Sequence, residues 1–437
     1  MNRLRLVALA MLAIAAGAAR ADTIRANSTT LLLSRENAIQ GQLEHTLPIF
    51  EIMSITASDV STSFAQDVEV ALSLWGAVDL NDVRAWQGGS FTDRRVSGDV
   101  DVAYVKGDLL DRRLTVRVGR QMVPDGTSRM VHLDGGQIRL RLPANFGVSA
   151  FAGSPVSPRF GARGGLGYGS IGNTRANFAT GGRVFYYLPA RLEVGASTMI
   201  ANDRGDPSRR DLGADFRVFL PSSLQLAGSA FYSLYDERLG EGEASLSWRG
   251  SRRLQAAAEY RHVEPDLFLP RTSILSVFAN DERNEVGGWA RLEPLRALVL
   301  DVDYHALLED PGTGHRARAR GIYTLRPRTD VGAEAAVLVS PGGTQLANGG
   351  YWMARAFGAH GRGPFDVTVD VVSYFLERSI NGEDLALTAT GTVGWRFMQG
   401  FKVLVAGTGG TTPYLTRHFD VLAKLVYDQI YVTREVR

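Results

Sequence analysis

The chain of 437 residues contains no cysteine. This absence excludes a lipid-modified N-terminal cysteine, a disulfide framework and thiolate metal sites. The chain also lacks a continuous apolar stretch of about 20 residues, the length that a membrane-spanning helix needs. An inner-membrane helical protein is therefore excluded. No Pro- or Ser-rich linker divides the sequence, which indicates a single domain despite the length of the chain.

The first residues have the composition of a cleaved secretory signal, which we predict to be residues 1–21. Arg3 and Arg5 supply a positive start, an apolar core runs to Gly17, and Ala19-Arg20-Ala21 is a small-residue cleavage site. Its removal would reduce the 48 basic side chains to 45, against 46 acidic ones. This near-balance gives no indication of nucleic-acid binding. We expect an exported protein.

Alternation of apolar and polar residues is the dominant pattern of the chain. In residues 385–397, one side carries Leu385, Leu387, Val393, Trp395 and Phe397, and the other carries Thr388, Thr390, Thr392 and Arg396. Successive side chains of a β-strand point to opposite faces, so such a segment has one apolar and one polar face. Repeats of about ten residues with this pattern, in an exported chain, predict a transmembrane β-barrel.

Short links between the alternating segments supply the strand count. They fall near Asp111, Pro143-Ala144, Pro189-Ala190, Pro221-Ser222, Gly250-Ser251, Pro294-Leu295, Pro327-Arg328, Arg362-Gly363 and Gln399-Gly400. Proline cannot donate to a strand ladder, so the proline links are turns. These hairpins, with one strand before and one after them, predict an all-β, closed antiparallel barrel of about 20 strands. The longer links, near residues 81–96, 123–133, 156–173, 264–283 and 340–349, are expected at the cell exterior.

Residues 22–65 keep three alternatives open. They are a periplasmic segment, a plug inside the barrel, or one more hairpin. The barrel itself is predicted to occupy residues 66–437, and the alternatives change its strand number to about 18 or 22.

Charged residues recur on the face opposite the apolar one. A basic residue at the middle of the lipid costs about 2–4 kcal/mol, so these faces are expected to line a water-filled interior. The pore-lining candidates are Arg117, Arg139, Arg141, Glu241, Glu243, Glu259, Arg261, Asp301, Asp303, His305, Arg316, Arg318, Arg320 and Arg396. Their mixed charge predicts weak ion selectivity.

Two neighbouring segments concentrate these charges. A hairpin near Pro311 would set Asp303 opposite Arg320 and His305 opposite Arg318. The arginines then form either a basic ladder along a pore or a structural salt-bridge ladder, and the interleaved acids favour the second interpretation. Asp301, Asp303 and His305 share a face, but same-face residues lie about 6.5–7 Å apart along a strand, which argues against one metal ion bound by all three. The inward aromatics are interpreted as packing or as a sugar-stacking track: Trp75, Phe185, Tyr187 and Trp289.

The segment Leu114–Gln121, which ends Gly119-Arg120-Gln121, resembles a strand of the porin-like outer-membrane β-barrels of Gram-negative bacteria. The alternating pattern extends this resemblance to nearly the whole chain after the signal. It implies a monomeric or homotrimeric pore, or a scaffold barrel, surrounded by outer-membrane lipid and inserted by the outer-membrane assembly machinery. That machinery usually reads a terminal aromatic residue, for which Tyr427 or Tyr431 is the candidate here.

The predicted function is therefore an outer-membrane channel for the passive passage of small hydrophilic solutes. The alternative is a non-conducting barrel, plugged by residues 22–65, that anchors a surface complex. We expect no enzymatic activity, because no histidine stands in a recognisable Ser/His/acid arrangement and no nucleophile elbow or HExxH motif is present. No cofactor, metal ion or nucleic acid is expected as a partner.

Overall fold

A computed structural model describes residues 21–39, 42–60, 65–80, 96–123, 131–156, 177–203, 205–251, 253–264, 282–309, 312–340, 349–413 and 415–432. The predicted signal, residues 1–21, falls almost entirely outside this part of the chain. So do most of the predicted long links, although Val123 and Val131–Leu133 belong to strands. Within the described residues, no helix is both long enough and apolar enough to cross a membrane.

The described residues form twenty-three strands and two short 3-10 turns. The strands are β1 Thr23–Ile39, β2 Gln42–Thr46, β3 Pro48–Val60, β4 Gln66–Asp79, β5 Val96–Leu109, β6 Leu114–Val123, β7 Val131–Arg141, β8 Phe146–Pro155, β9 Phe178–Leu188, β10 Leu192–Asp203, β11 Asp206–Leu220, β12 Leu224–Ser233, β13 Arg238–Trp248, β14 Leu254–Val263, β15 Arg283–Leu295, β16 Leu298–Glu309, β17 Gly312–Arg326, β18 Thr329–Val339, β19 Tyr351–Arg362, β20 Phe365–Ile380, β21 Glu383–Met398, β22 Phe401–Thr412 and β23 Leu415–Val432.

The strands close into one antiparallel barrel with 22 strands in its wall. From β3 onwards each strand pairs with the next along the chain, and β23 returns to pair with β1, from Thr23↔Val432 to Ser34↔Val421. The short β2 pairs with the end of β1 and continues β3 beyond the ring. The predicted closed antiparallel barrel is confirmed, and its strand number lies at the upper end of the predicted range.

The barrel begins earlier in the chain than residue 66. β1 lies between β23 and β3, so the described parts of residues 22–65 form a hairpin of the wall and do not plug the lumen. The alternation in β1 is weak, because Ser28 and Thr30 share a face with Leu32 and the run Leu31–Leu33 interrupts the pattern. The need to close the ring decides the place of this strand, since an open edge leaves backbone groups unpaired.

Turns occur where the sequence predicts them, with one correction. Residues 110–113, 143–145, 189–191, 221–223, 327–328, 363–364 and 399–400 link adjacent strands. The link predicted at Pro294-Leu295 lies at residues 296–297 instead, and Leu295 pairs with Leu298. The ladder is irregular between Leu292 and Leu295, which places Pro294 in a bulge where its missing N–H breaks no ladder hydrogen bond.

Each strand divides its side chains between an apolar and a polar face, as β20 shows. Phe365, Val367 and Val369 lie on one face and are 49%, 39% and 53% exposed. Asp366 and Asp370 lie on the other face and form ion pairs. The apolar face carries a chain of aromatic contacts near the short turns, from Phe365 and Trp395, 6.1 Å apart, through Phe397 and Phe401 to Tyr427.

Candidate functional site

The polar face of the wall brings the predicted residues together. Arg117, Arg139 and Arg141 lie on β6 and β7, Glu241, Glu243, Glu259 and Arg261 on β13 and β14, and Arg396 on β21. Asp301, Asp303 and His305 lie on β16, beside Arg316, Arg318 and Arg320 on β17. Within each group of adjacent strands, the cross-strand partners show that these residues share one face of the sheet.

The register between β16 and β17 differs from the prediction by two residues. Asp303 pairs with Arg318 and His305 with Arg316, because the hairpin closes on the pair Glu309↔Gly312. The Nε of Arg318 donates to Oδ2 of Asp303 over 2.6 Å. The prediction placed the turn one residue too far along the chain. A turn displaced by one residue shifts the pairing between its two strands by two residues.

Around Phe357, arginines are interleaved with carboxylates. We call this the Phe357 cluster: Arg318, Arg320, Glu334, Arg355 and Phe357. Glu334 is only 9% exposed, and its carboxylate lies 3.4 Å from Nη1 of Arg355 and 3.9 Å from Nη1 of Arg318. The guanidinium carbons of Arg320 and Arg355 each lie 5.0 Å from the centre of the Phe357 ring. Such contacts place a cation on the electron-rich face of the ring.

A second aromatic residue has the same kind of neighbours. We call this the Phe185 cluster: Arg117, Arg139, Ser149, Arg183 and Phe185. The guanidinium carbons of Arg139 and Arg183 each lie 4.9 Å from the centre of the Phe185 ring. In both clusters the ring covers a glycine of the preceding strand, Gly147 or Gly332, where an added Cβ would collide with the ring. Packing a cross-strand aromatic on a glycine compensates for the missing side chain.

The two clusters have matching registers. Arg139, Ser149 and Arg183 are aligned across β7, β8 and β9. Their equivalents across β17, β18 and β19 are Arg320, Glu334 and Arg355.

In the adjacent row of cross-strand pairs, Gly147 pairs with Phe185 and Gly332 pairs with Phe357. β9 and β19 are ten strand positions apart in one direction and twelve in the other, so the clusters lie on opposite sides of the barrel.

The residues around the two rings differ in charge. Glu334 of the Phe357 cluster corresponds to Ser149, and Asp303 corresponds to Arg117, because Arg117 pairs with Gln137 where Asp303 pairs with Arg318. Arg183 binds the carboxylates of Asp215 and Glu193, over 2.5 Å and 3.0 Å. In the described part of the chain, Arg117, Arg139 and Arg141 form no ion pair with a carboxylate.

These unpaired arginines line a cavity of about 330 Å³. Its lining consists of Lys106, Asp108, Thr115, Arg117, Gln137, Arg139 and Arg141. The guanidinium carbon of Arg117 lies 4.8 Å from the centre of the Tyr104 ring, and its Nε is buried without a hydrogen-bond partner. Four basic groups and one carboxylate therefore surround this space.

A second cavity, of about 380 Å³, is lined by acids and bases from β10 to β14, among them Glu193, Asp215, Glu243, Glu259 and Arg261. Arg261 donates to Glu241 over 2.9 Å, and Nε1 of Trp289 donates to Glu259 over 2.8 Å. His305 lies 3.5 Å from the same Glu259. Arg261 and Glu241 therefore neutralise each other, while Glu259 is held by hydrogen-bonding contacts.

Arg396 belongs to a small ionic network near the short turns. Its Nη2 lies 3.3 Å from Asp366, which also binds Arg328 over 2.8 Å and Lys402 over 3.0 Å. Among the described residues, no group of three His, Cys, Asp or Glu side chains is placed to hold a metal ion. The absence of a metal, cofactor or enzymatic activity stays a prediction.

Sequence reasoning missed Arg183, Glu334 and Arg355, and it assigned Phe185 only to packing or sugar stacking. The signal that would have found the two arginines is an arginine two residues before a phenylalanine on the polar face, at Arg183–Phe185 and Arg355–Phe357. Glu334 lies on another strand and has no such signal. The partners Arg139 and Arg320 come from other strands. No periodicity within one strand reveals them.

No family model and no curated protein matches this sequence. In fold, the chain is similar to the P pilus usher PapC translocation pore, with a TM-score of 0.51, 8% identity, and coverage of 93% of this chain and 99% of that one. OccAB4 of Acinetobacter baumannii is also similar, with a TM-score of 0.46, 10% identity, and coverage of 94% of this chain and 98% of that one. A BenF-like porin from Pseudomonas fluorescens Pf-5 has a TM-score of 0.45 and 10% identity, with coverage of 94% of this chain and 99% of that one. The closed antiparallel wall itself confirms the porin-like β-barrel fold that the sequence predicted.

Proposed function

We propose that this chain is a porin-like channel of the cell outer membrane, through which small hydrophilic solutes pass passively. The observation that carries the proposal is a closed wall of 22 strands with a charged face and an exposed apolar face. Its natural partners are outer-membrane lipid, the assembly machinery that inserts such barrels, and small solutes. A homotrimer is the oligomer to test first, and no enzymatic activity is assigned.

The apolar face supports insertion into lipid. Exposed side chains such as Val302, Val369 and Val393 alternate with polar ones along their strands. A soluble protein would leave this continuous apolar surface in water, which monomeric soluble proteins avoid. The aromatic chain from Phe365 to Tyr427 suits the interface between hydrocarbon and water.

The charged face supports an aqueous path. Basic residues facing hydrocarbon would cost about 2–4 kcal/mol each at mid-membrane, so the face that carries the two clusters belongs inside the barrel. A ring of 22 strands is too wide for its wall side chains to fill. The alternative of a scaffold plugged by residues 22–65 loses its plug, because the described parts of that segment lie in the wall.

The test is the conductance of refolded protein in a planar lipid bilayer under a salt gradient. Stable current steps are expected, and their reversal potential measures the ion preference of the interior. A protein that resists unfolding by SDS until heated, inserts fully and yet passes no current would contradict the channel while leaving the barrel intact. Cross-linking in the same membranes decides between monomer and trimer.

A further inference from the structure

We propose that the Phe185 cluster and its cavity bind a small oxyanion carrying two or more negative charges, a chemistry shared by inorganic phosphate and phosphorylated solutes. This inference rests on the proposed function, because it gives the channel a preferred class of solute. It starts from the internal comparison of the two clusters, which hold the same aromatic–arginine frame in the same register.

In the Phe357 cluster, a carboxylate of the chain itself neutralises the arginines. There the carboxylate of Glu334 lies between the arginine rows and binds Arg355 and Arg318. The equivalent position in the Phe185 cluster is Ser149, which has no charge and is 2% exposed. The partners of Glu334 correspond to Arg183, whose charge Asp215 and Glu193 neutralise, and to the uncharged Gln137. The arginines that form no ion pair in the described part of the chain are instead Arg139, which pairs with Ser149 across the strands, and its neighbours Arg117 and Arg141. An oxyanion from solution would supply a negative charge to these three.

The charges around the cavity favour a multivalent anion. Lys106, Arg117, Arg139 and Arg141 carry four positive charges, against one negative charge on Asp108. Asp108 is already engaged, since it accepts a hydrogen bond from Thr115 over 2.7 Å. Glu69, just outside the cavity, lies 3.8 Å from Lys106 and also accepts a hydrogen bond from the hydroxyl of Tyr104. The excess positive charge therefore lies on Arg117, Arg139 and Arg141.

The donors suit an oxyanion. Guanidinium groups donate pairs of hydrogen bonds to phosphate and carboxylate oxygens, and these charge-assisted bonds are among the stronger ones in proteins. Arg139 and Arg141 are exposed, so their donors are accessible from the barrel interior. Arg117 holds its Nε buried without a partner, which leaves one donor of the cavity wall unused. Phosphate groups near neutral pH carry about 1.5–2 negative charges, so the doubly charged form is well populated.

The experiment measures calorimetric binding of inorganic phosphate to the refolded full chain in detergent, at constant ionic strength because screening weakens such contacts. Acetate and glycerol are the monovalent and neutral comparisons. Arg139→Gln should weaken phosphate binding by roughly tenfold or more, the loss expected for a charged hydrogen bond. The matched control is Arg320→Gln in the Phe357 cluster, which should change binding by less than about twofold.

Ser149→Glu adds a converse test, because it places a carboxylate where the Phe357 cluster has Glu334. It should displace phosphate from a folded barrel. Should this variant fail to fold, the Arg139→Gln and Arg320→Gln pair still decides. No phosphate binding by the unaltered chain, or equal binding by those two variants, overturns the inference.

Conductance of the same preparations separates the two proposals. A silent inserted barrel that binds phosphate through Arg139 contradicts the channel and supports the site. A conducting barrel that binds no phosphate contradicts the site alone.

Discussion

The Phe185 and Phe357 clusters are built on one backbone pattern and differ in their charges. Each places a phenylalanine on a glycine of the preceding strand and two guanidinium groups on the ring. Around Phe357, buried Glu334 and Asp303 neutralise the arginines; around Phe185, the equivalent positions hold Ser149 and Arg117. Two further positions also differ in charge, since Arg318 corresponds to Gln137 and Ile322 to Arg141. Differences in charge within a common frame thus separate a structural ion network from a cationic wall.

The comparison shows why arginine repeats alone do not identify a pore-lining basic ladder. Arg316, Arg318 and Arg320 form the clearest repeat in the sequence, and yet Arg316 binds a carboxylate of β15 and Arg318 one of β16. The less regular set Arg117, Arg139 and Arg141 faces few carboxylates, since its neighbours across the strands are Lys106, Gln137, Ser149 and Gly147. Whether a charge on the barrel wall is neutralised depends on its neighbours across the strands more than on the sequence of its own strand.

The largest expected effect is loss of the buried carboxylate. Glu334→Gln leaves the guanidinium groups of Arg318 and Arg355 without their shared partner, and we expect it to lower the free energy of unfolding by about 3 kcal/mol. Urea unfolding of the barrel in lipid vesicles measures this change. The matched control is Ser149→Ala, which removes a hydroxyl at the equivalent position and should cost about 1 kcal/mol or less. Equal costs for the two variants would mean that Glu334 does not hold its cluster together.

A smaller effect tests the part that the clusters share. Gly147→Val and Gly332→Val each put side-chain atoms into the space of a phenylalanine ring, so both should destabilise the barrel by about 2 kcal/mol through overpacking. Gly391→Val is the control on β21, where an added Cβ meets nothing within 4 Å. Unfolding midpoints in the same vesicles provide the readout. A tolerated Gly147→Val alongside a damaging Gly332→Val would show that the two frames are not equivalent.

The smallest effect concerns stability at the cationic wall. Arg139→Gln breaks no ion pair in the described part of the chain. It loses the contact of Arg139 with the Phe185 ring, but it also relieves repulsion from Arg117 and Arg141. Because these two effects oppose each other, we expect the free energy of unfolding to change by less than about 0.5 kcal/mol. Chemical unfolding in the absence of phosphate measures it, with Arg355→Gln as the costly counterpart because Arg355 binds Asp370 and Glu334. A marked loss of stability in Arg139→Gln would assign this arginine a structural role.

Much of the fold was predictable because a barrel wall repeats one simple rule. Alternation along segments such as residues 385–397 identified strands and their two faces, and prolines such as Pro143, Pro189 and Pro221 marked turns. The prediction failed where the rule weakens. β1 lacks clean alternation, and Pro294 lies in a bulge just before the actual turn at residues 296–297.

The candidate site was less predictable, for a geometric reason. Sequence alone placed Arg139 and Phe185 on polar faces, but the two belong to different strands, and a long connection separates β8 from β9. Likewise, the pairing of Asp303 with Arg318 depends on where one hairpin turns. A displacement of one residue there reassigns every ion pair along both strands.

The amino-acid sequence by itself determined the class of architecture, the two-faced strands and the inventory of charges, because side-chain alternation is a local property of the extended chain. Only the tertiary structure decided the ring of 22 strands, the place of β1 in the wall, and which arginines meet a carboxylate. Those outcomes depend on hydrogen-bond register between strands, which closure of the barrel sets for all strands together.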